Sequence, residues 1–201
     1  MTTVTRTPDQ KLPVSFYSGD TLGVARNLLG KFLVRKTAGG AMVGKIVETE
    51  AYHEVGDPSC HAHRGMTARN AVMFGPPGRL YVYFTYGMHY CMNIVTEKEG
   101  VAAAVLIRAL EPVAGIPLMQ KNRGPKAIEK NLANGPAKLC QALAITTAQN
   151  GHSLQSDDLY VSNGETVLDA DVVTTTRIGI SAGADLPWRF YLRGNPFVSK
   201  K

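Results

Sequence analysis

The sequence predicts an α+β fold: a compact single domain with a mainly antiparallel sheet, short helices and a protruding β-hairpin. Its 201 residues are typical of one domain with one core. Segments with strand-like patterning outnumber helical ones. Most connections between them are too short for the helical crossovers that a parallel sheet requires.

The beginning of the chain predicts an arm followed by a helix. Residues 1–15 are polar and rich in threonine, which predicts a flexible N-terminal arm, and residues 16–201 form the single domain. Asp20 or Thr21 can cap a short amphipathic helix, which Gly30 ends.

Alternating β-branched, aromatic and polar residues predict most of the remaining elements. The predicted strands are residues 31–36, 41–52, 79–86, 89–96, 101–110, 172–180 and 189–192. Gly39-Gly40 and Gly87-Met88 predict the turns of two hairpins, of which the second is the clearer. Two helices are predicted at 112–122 and 137–144.

The chain is basic without a basic tail. Its 22 Lys and Arg residues against 16 Asp and Glu residues give a net charge of +6. This charge permits binding to a polyanion through phosphate neutralisation but does not require it. No apolar run approaches the ~20 residues of a membrane span, and the N-terminus has no secretion signal. We therefore expect a cytoplasmic protein.

The middle of the sequence contains an acid-free aromatic segment. No Asp or Glu lies between Asp57 and Glu97, and six of the 15 aromatic residues fall there. These are Phe74, Tyr81, Tyr83, Phe84, Tyr86 and Tyr90. Such a segment can stack bases and hold phosphates, or its aromatic residues can simply form the core of a hairpin. Composition leaves both interpretations open.

A pair of carboxylates is the first candidate for chemistry. Glu48, Glu50 and Tyr52 lie two residues apart on a predicted strand and therefore share one face. A carboxylate beside an aromatic ring suits a hydrolysis that passes through a positively charged sugar, because it can deprotonate water and stabilise the cation. A solvated strand face is the alternative interpretation of the same spacing.

Five sequence blocks in order resemble the signature blocks of the alkyladenine (3-methyladenine) DNA glycosylase family. They are VETEAY at 47–52, followed by His61, then LYVYFTYGMHYCMN at 80–93, LIRALEP at 106–112, NGPAKLC at 134–140 and RFYLRG at 189–194. The resemblance covers nearly everything after residue 15. It implies a monomeric, cofactor-free hydrolase that flips damaged purines out of duplex DNA and leaves an abasic site.

The resemblance also implies a role for each matching residue. Glu50 matches the general base, and Arg108 matches the arginine that holds the attacking water. The base pocket is implied for Tyr52, His61, Tyr83 and Asn93, with Asn93 excluding the 2-amino group of guanine. Tyr86 matches the residue that fills the vacated base stack. For Arg108, an ion pair to Glu48 or Glu111 is the structural alternative.

Four more residues are candidates for DNA contact. Met88 either touches DNA at the hairpin tip or is merely exposed. Arg64, Thr67 and Arg69 either contact phosphates or brace their loop. The implied substrates are 3-methyladenine, 7-methylguanine, hypoxanthine and ethenoadenine, and for the neutral bases among them the sequence identifies no dedicated general acid.

The hairpin turn conflicts with these implied roles. With a strict two-residue turn at Gly87-Met88, Asn93 would lie on the opposite face from Tyr83. Both residues are expected at the pocket. We therefore expect a longer turn or a bulge between Tyr86 and Asn93.

Cysteine and histidine usage favours reduced thiols and no metal. The sequence has three cysteines, Cys60, Cys91 and Cys140. An odd number without a C-x-x-C pair argues against a disulfide framework. The alternative interpretation is a zinc- or iron-dependent hydrolase, in which the metal ligands would be Cys60, His61, His63 and Glu50. Adjacent loop residues tend to point apart, and no second ligand motif is present in the sequence, so no metal is expected.

Two further alternatives keep a nucleic acid as the partner. In the first, the chain is a non-enzymatic module that stacks single strands on its aromatic hairpin, and Glu50 is dispensable. In the second, a lysine forms a Schiff base with the sugar and the strand is also nicked. The family resemblance favours a water nucleophile.

Overall fold

The computed structural model describes residues 10–200 as a single α+β domain built on one antiparallel sheet. Its strands are β1 (Phe32–Thr37), β2 (Gly40–His53), β3 (Leu80–Thr85), β4 (His89–Val95), β5 (Ala103–Ala114), β6 (Leu159–Ser162), β7 (Val172–Thr175) and β8 (Arg189–Leu192). Its α-helices are α1 (Val14–Tyr17), α2 (Thr21–Asn27), α3 (Ile116–Arg123) and α4 (Pro136–Ala142). The predicted fold class is confirmed.

Strand β2 organises the sheet because it has neighbours along both edges. The main order is β3-β4-β5-β2-β1-β6. One edge of β2 pairs with β5, while the other pairs first with β1 and then, from Glu48 to Glu50, with β8, which also pairs with β7. Every pairing is antiparallel. Residues 48–50 are therefore flanked by a strand on each side.

The two faces of β2 carry different chemistry. On one face, Thr49 donates a hydrogen bond of 2.8 Å to the Ala25 carbonyl of α2. Asp20 caps that helix, as predicted, by accepting a hydrogen bond from the Gly23 amide. The opposite face carries Glu48 and Glu50, as the alternation requires. Helix α2 thus covers the apolar core and leaves the other face of β2 for the site.

The predicted helix at 112–122 is wrong at its start. Pro112 remains in β5, opposite an irregularity in β2 where a missing donor is tolerated. Gly115 then turns the chain with a φ of 73°, and a Cβ there would lie 2.2 Å from the Ala41 carbonyl oxygen. Helix α3 can therefore begin only at Ile116.

Most of the predicted N-terminal arm lies outside the described residues. Of its last residues, Lys11 forms a bridge to Ser162 and Leu12 is buried in the main core. Among residues 10–200, no helix combines the length and the apolar character that a membrane crossing needs.

Candidate active site

Two opposed irregularities bring the key charges together. In the register of β2 with β5, Ile46 pairs with Leu110 and Glu48 with Ala109, so Val47 is an extra residue in β2. Thr49 then pairs with Ile107, so Arg108 is an extra residue in β5. Bulges of this kind re-aim side chains within a sheet. Arg108 reaches both carboxylates of β2: its Nε donates to Glu48 Oε1 and its Nη1 to Glu50 Oε2, each at 3.1 Å.

Glu50 accepts three hydrogen bonds, at least one on each carboxylate oxygen. Its Oε2 accepts from Arg108 and, at 2.8 Å, from the Tyr52 hydroxyl. Its Oε1 accepts from the backbone amide of Ile178 at 2.8 Å. The residue has no exposed surface. A buried charge of this kind is tolerated because it is paired and hydrogen-bonded.

This burial contrasts with the general-base role that the resemblance implies for Glu50, because a general base must come within hydrogen-bond reach of water. Glu50 lies behind the wall of a cavity rather than in it, since Tyr52 and Arg108 both line the cavity and both bond to the carboxylate. The reason is the number of donors: a guanidinium, a phenol and an amide satisfy the carboxylate without water. One hydrogen bond separates Glu50 from the cavity.

The cavity has a volume of about 340 Å³, within the range of small-molecule sites. Six of the predicted site residues line it: Tyr52, His61, Tyr83, Tyr86, Asn93 and Arg108. Alternation along β3 and β4 directs Tyr81, Tyr83, Cys91 and Asn93 to it, and a segment from Ile178 to Ile180 closes one side. The structure thus brings together residues that are far apart in the sequence.

Three aromatic residues form one wall. The rings of His61 and Tyr83 meet edge to face, with centroids 4.6 Å apart and planes at 69°. The His61 Nδ1 lies 2.9 Å from the Tyr81 hydroxyl. Tyr81 was not predicted as a site residue, although its two-residue spacing from Tyr83 is a signal that could have identified it.

Burial shapes the titration of this wall. It raises the pKa of Tyr81 to about 12 and, assisted by neighbouring Cys91, the pKa of Tyr83 well above its usual range. Burial, followed by the Glu50 charge, does the same for Tyr52. Desolvation and then the positive charge of Arg69 lower the pKa of His61. The phenols therefore stay protonated, and His61 is biased towards neutral imidazole.

The longer hairpin turn is confirmed. Thr85 pairs with His89, so Tyr86, Gly87 and Met88 form a three-residue loop. Asn93 consequently lies opposite Tyr81 and shares a face with Tyr83. Its side-chain amide donates to the Tyr81 carbonyl at 3.1 Å.

The hairpin tip presents apolar side chains to solvent. Tyr86 is 84% exposed and Met88 is 69% exposed. Tyr86 has a φ of 50°, a left-handed conformation that is uncommon for a bulky residue. Such outliers cluster at functional sites.

The loop candidates lie outside the cavity lining. Arg64 is exposed, and the Thr67 amide and hydroxyl both bond to Asn70 within their loop, which is the bracing alternative. The Arg69 guanidinium lies 5.3 Å from the centroid of the Tyr83 ring. Contact of these three residues with DNA stays a prediction.

A buried ion pair supports Tyr52 from behind and was not predicted. Arg177 donates two hydrogen bonds of 2.6 Å to Asp57. Its guanidinium lies 4.5 Å from the centroid of the Tyr52 ring and 5.2 Å from that of Trp188. The pair joins the loop after β2 to the segment whose Ile178 amide bonds to Glu50.

The alternative metal set is not assembled in the described residues. Among these, no three His, Cys, Asp or Glu side chains lie close enough together to hold an ion. Cys60 is buried, which raises the pKa of its thiol to about 11, and His61 is engaged by Tyr81. The described cysteines are free thiols, as predicted.

The fold and site define an enzyme-like cavity in which aromatic rings stand in front of a buried carboxylate. A family profile described as "Methylpurine-DNA glycosylase (MPG)" matches residues 15–196. The chain therefore belongs to the methylpurine-DNA glycosylase family, whose members are hydrolases that act on N-glycosyl bonds.

Curated relatives agree with this membership. A Carboxydothermus hydrogenoformans protein is 60% identical over 94% of this chain and 99% of its own length. A Prosthecochloris aestuarii protein is 55% identical over 92% of this chain and 89% of its own length. A Methanocella arvoryzae protein is 51% identical over 94% of this chain and 96% of its own length. All three carry the name "Putative 3-methyladenine DNA glycosylase".

Proposed function

We propose that this protein is a monofunctional, monomeric DNA glycosylase that removes alkylated or deaminated purines from duplex DNA. The substrates are 3-methyladenine, 7-methylguanine, hypoxanthine and ethenoadenine. Glu50 activates a water molecule that hydrolyses the N-glycosidic bond and leaves an abasic site. The family membership and the relatives' names support the reaction class.

One observation carries the mechanism. The Glu50 carboxylate is buried one hydrogen bond behind an aromatic-walled cavity and is held by Arg108 and Tyr52. A fixed negative charge at this position would stabilise the oxocarbenium-like sugar better than water could, since it needs no reorganisation.

Access to Glu50 requires one group to move. The Tyr52 hydroxyl occupies Glu50 Oε2, and Tyr52 also lines the cavity. We infer that an entering base displaces this hydroxyl and frees Oε2 for water, with Arg108 remaining in place. Closure in the free enzyme would then keep the carboxylate dry until a nucleotide arrives.

The cavity wall suits damaged purines. Alkylated purines such as 3-methyladenine and 7-methylguanine are cationic and stack favourably on tyrosine rings, and a neutral His61 would not repel them. Stacking tolerates several lesions, whereas Asn93, held by the Tyr81 carbonyl, would crowd the 2-amino group of guanine. Recognition thus combines permissive stacking with one point of exclusion.

The exposed hairpin tip supports flipping from duplex DNA. Extrusion of a nucleotide costs a few kcal/mol of stacking and pairing, least for a damaged base. Tyr86 at the cavity rim, beside exposed Met88, can fill the vacated space and offset part of that cost. Arg64, Thr67 and Arg69 would contact the backbone nearby.

A water nucleophile is favoured over a lysine Schiff base. Among the described residues that line the cavity, none is a lysine. Borohydride trapping of a covalent protein–DNA adduct would overturn this part of the proposal.

The deciding experiment compares the wild type with Glu50→Gln and with Glu99→Gln, the same substitution at an exposed position. Duplexes carrying 7-methylguanine, hypoxanthine, ethenoadenine or normal guanine are assayed for free base and abasic sites. Glu50→Gln should bind damaged duplex but lose excision by at least about a hundredfold, whereas Glu99→Gln should match the wild type. Undiminished excision by Glu50→Gln would remove the proposed mechanism, and binding without excision by the folded wild type would support the non-enzymatic alternative.

A further inference from the structure

We propose that Glu48 is a positioning residue that sets the pH range of excision by sharing Arg108 with Glu50. This rests on the proposed role of Glu50 as the base. Glu48 does not line the cavity. It acts through the guanidinium that both carboxylates hold.

Glu48 receives donors from both neighbouring strands and from the chain's end. Arg108 of β5 donates from Nε at 3.1 Å and Arg189 of β8 from Nε at 2.7 Å, both to Oε1. The Ser199 hydroxyl donates to the same oxygen at 2.9 Å, and the Ser199 amide donates to Oε2 at 2.6 Å. Glu48, like Glu50, has no exposed surface.

The arrangement is a neutral buried network of four charges. Arg189 bonds only one of the carboxylates, whereas Arg108 is divided between the two. Arg189 also bonds the Lys200 carbonyl, so the end of the chain closes the network. In such surroundings the Coulomb interactions are weakly screened, and a change in one charge is felt by the others.

The charged and titratable groups that face Glu50 determine in which direction a substitution moves the pH dependence of excision. They are Glu48 and Tyr52 of β2, Arg108 of β5, Arg189 of β8, Cys91 of β4 and Arg177 behind Tyr52. Glu48 is the sole other carboxylate among them. Its negative charge disfavours a negative charge on Glu50 directly, and it also shares the Arg108 guanidinium that would otherwise stabilise Glu50 alone. Arg189 opposes this by neutralising Glu48.

Removing one charge or the other should therefore move the acidic limb of the pH–activity profile in opposite directions. In Glu48→Gln, the like charge beside Glu50 is removed and the Glu50 carboxylate keeps its bond from Arg108, so it attracts a proton less strongly, including the proton of the attacking water. The acidic limb should move down by roughly one pH unit, and kcat should fall about tenfold with little change in KM. In Arg189→Gln, Glu48 is less neutralised, and the limb should move up.

Conservative variants separate positioning from structural damage. Glu48→Asp keeps the charge and should return the limb towards the wild-type position, and Arg189→Lys should do the same for its site. Ser199→Ala removes only one neutral donor from Glu48 and should move the limb slightly upward. If the charge-removing variants do not fold, Ser199→Ala decides, and an unmoved limb in that variant overturns the proposal.

The proposal and the function beneath it fail in different ways. Active Glu50→Gln would remove both. Inactive Glu50→Gln, with Glu48→Gln and Arg189→Gln shifting the limb in the same direction or not at all, would remove only the role of Glu48. Profiles of kcat and KM are measured under multiple turnover on a 7-methylguanine duplex, with thermal unfolding of each variant as the folding control.

Discussion

The floor of the cavity and the tip of the hairpin are opposites in their physical chemistry. At the floor, Arg108 lines the cavity and Glu50 is buried behind it, and both are charged and hydrogen-bonded by groups from two strands and a loop. At the tip, Tyr86 and Met88 are large, apolar and exposed. Proteins normally arrange these residue types the other way round.

The difference indicates where each region meets its partner. A buried charge network is costly in an isolated protein unless every member is satisfied, so its fixed geometry suits chemistry that needs preorganised electrostatics. Exposed apolar side chains at a turn suit a partner that supplies the missing contacts. Chemistry and DNA engagement should therefore respond to mutation in separable ways.

The largest effect is expected from Arg108→Met. This variant leaves Glu48 and Glu50 without the guanidinium that joins them. The free energy of unfolding should fall by about 3–5 kcal/mol, as is usual when one partner of a buried pair is lost, and excision should fall about 10²–10³-fold. Urea denaturation and single-turnover excision measure the two effects.

Arg26→Met is the matched control for this prediction. Arg26 pairs with Asp169 at 2.7 Å on the surface, where the carboxylate side chain is 95% exposed. Its loss should cost less than about 1 kcal/mol and leave excision unchanged. Equal destabilisation by the two substitutions would contradict the assignment of the floor as a tightly coupled network.

A smaller effect, confined to DNA, is expected from Tyr86→Ala. Because the side chain is 84% exposed, unfolding should change by no more than about 0.5 kcal/mol. Excision from duplex should fall roughly 10- to 100-fold, since the vacated stack is no longer filled. Tyr86→Phe should retain most activity.

The same substitution elsewhere on the surface tests whether the tip is special. Leu168 is also exposed, at 67%, and Leu168→Ala should leave excision unchanged. Loss of excision from single-stranded substrate as severe as that from duplex would contradict the role of Tyr86 in filling a base stack.

The sequence predicted the elements that depend on local patterning. Alternation placed Glu48 and Glu50 on one face of β2. The conflict between Tyr83 and Asn93 predicted a longer turn or a bulge, and the hairpin has a three-residue loop. Resemblance to signature blocks assembled six of the cavity-lining residues, including His61 from a loop without regular structure. Periodicity and motif order carry such information because they are properties of neighbouring residues.

Long-range contacts account for what the sequence did not predict. Asp57 and Arg177 are 120 positions apart, and a backbone amide such as that of Ile178 has no side-chain signature. The irregularities at Val47 and Arg108 arise from the fit between two strands, so neither strand alone reveals them. The enclosure of Glu50 follows from these contacts and was missed for that reason.

The smallest effect concerns the titration of His61, an exposed side chain that also lines the cavity. Desolvation and then Arg69 lower its pKa below the usual 6.5. A folded-state pKa below the unfolded value means that its contribution to stability is present above about pH 6.5 and is lost as the pH falls through the folded value.

Arg69→Gln removes the second cause only, so the pKa of His61 should rise but stay below 6.5. Arg64→Gln, on the same loop, should leave it unmoved. Titration of the His61 ring proton by NMR measures both variants. No rise in Arg69→Gln would show that Arg69 does not act on this wall, and the neutral state of His61 would then rest on desolvation alone.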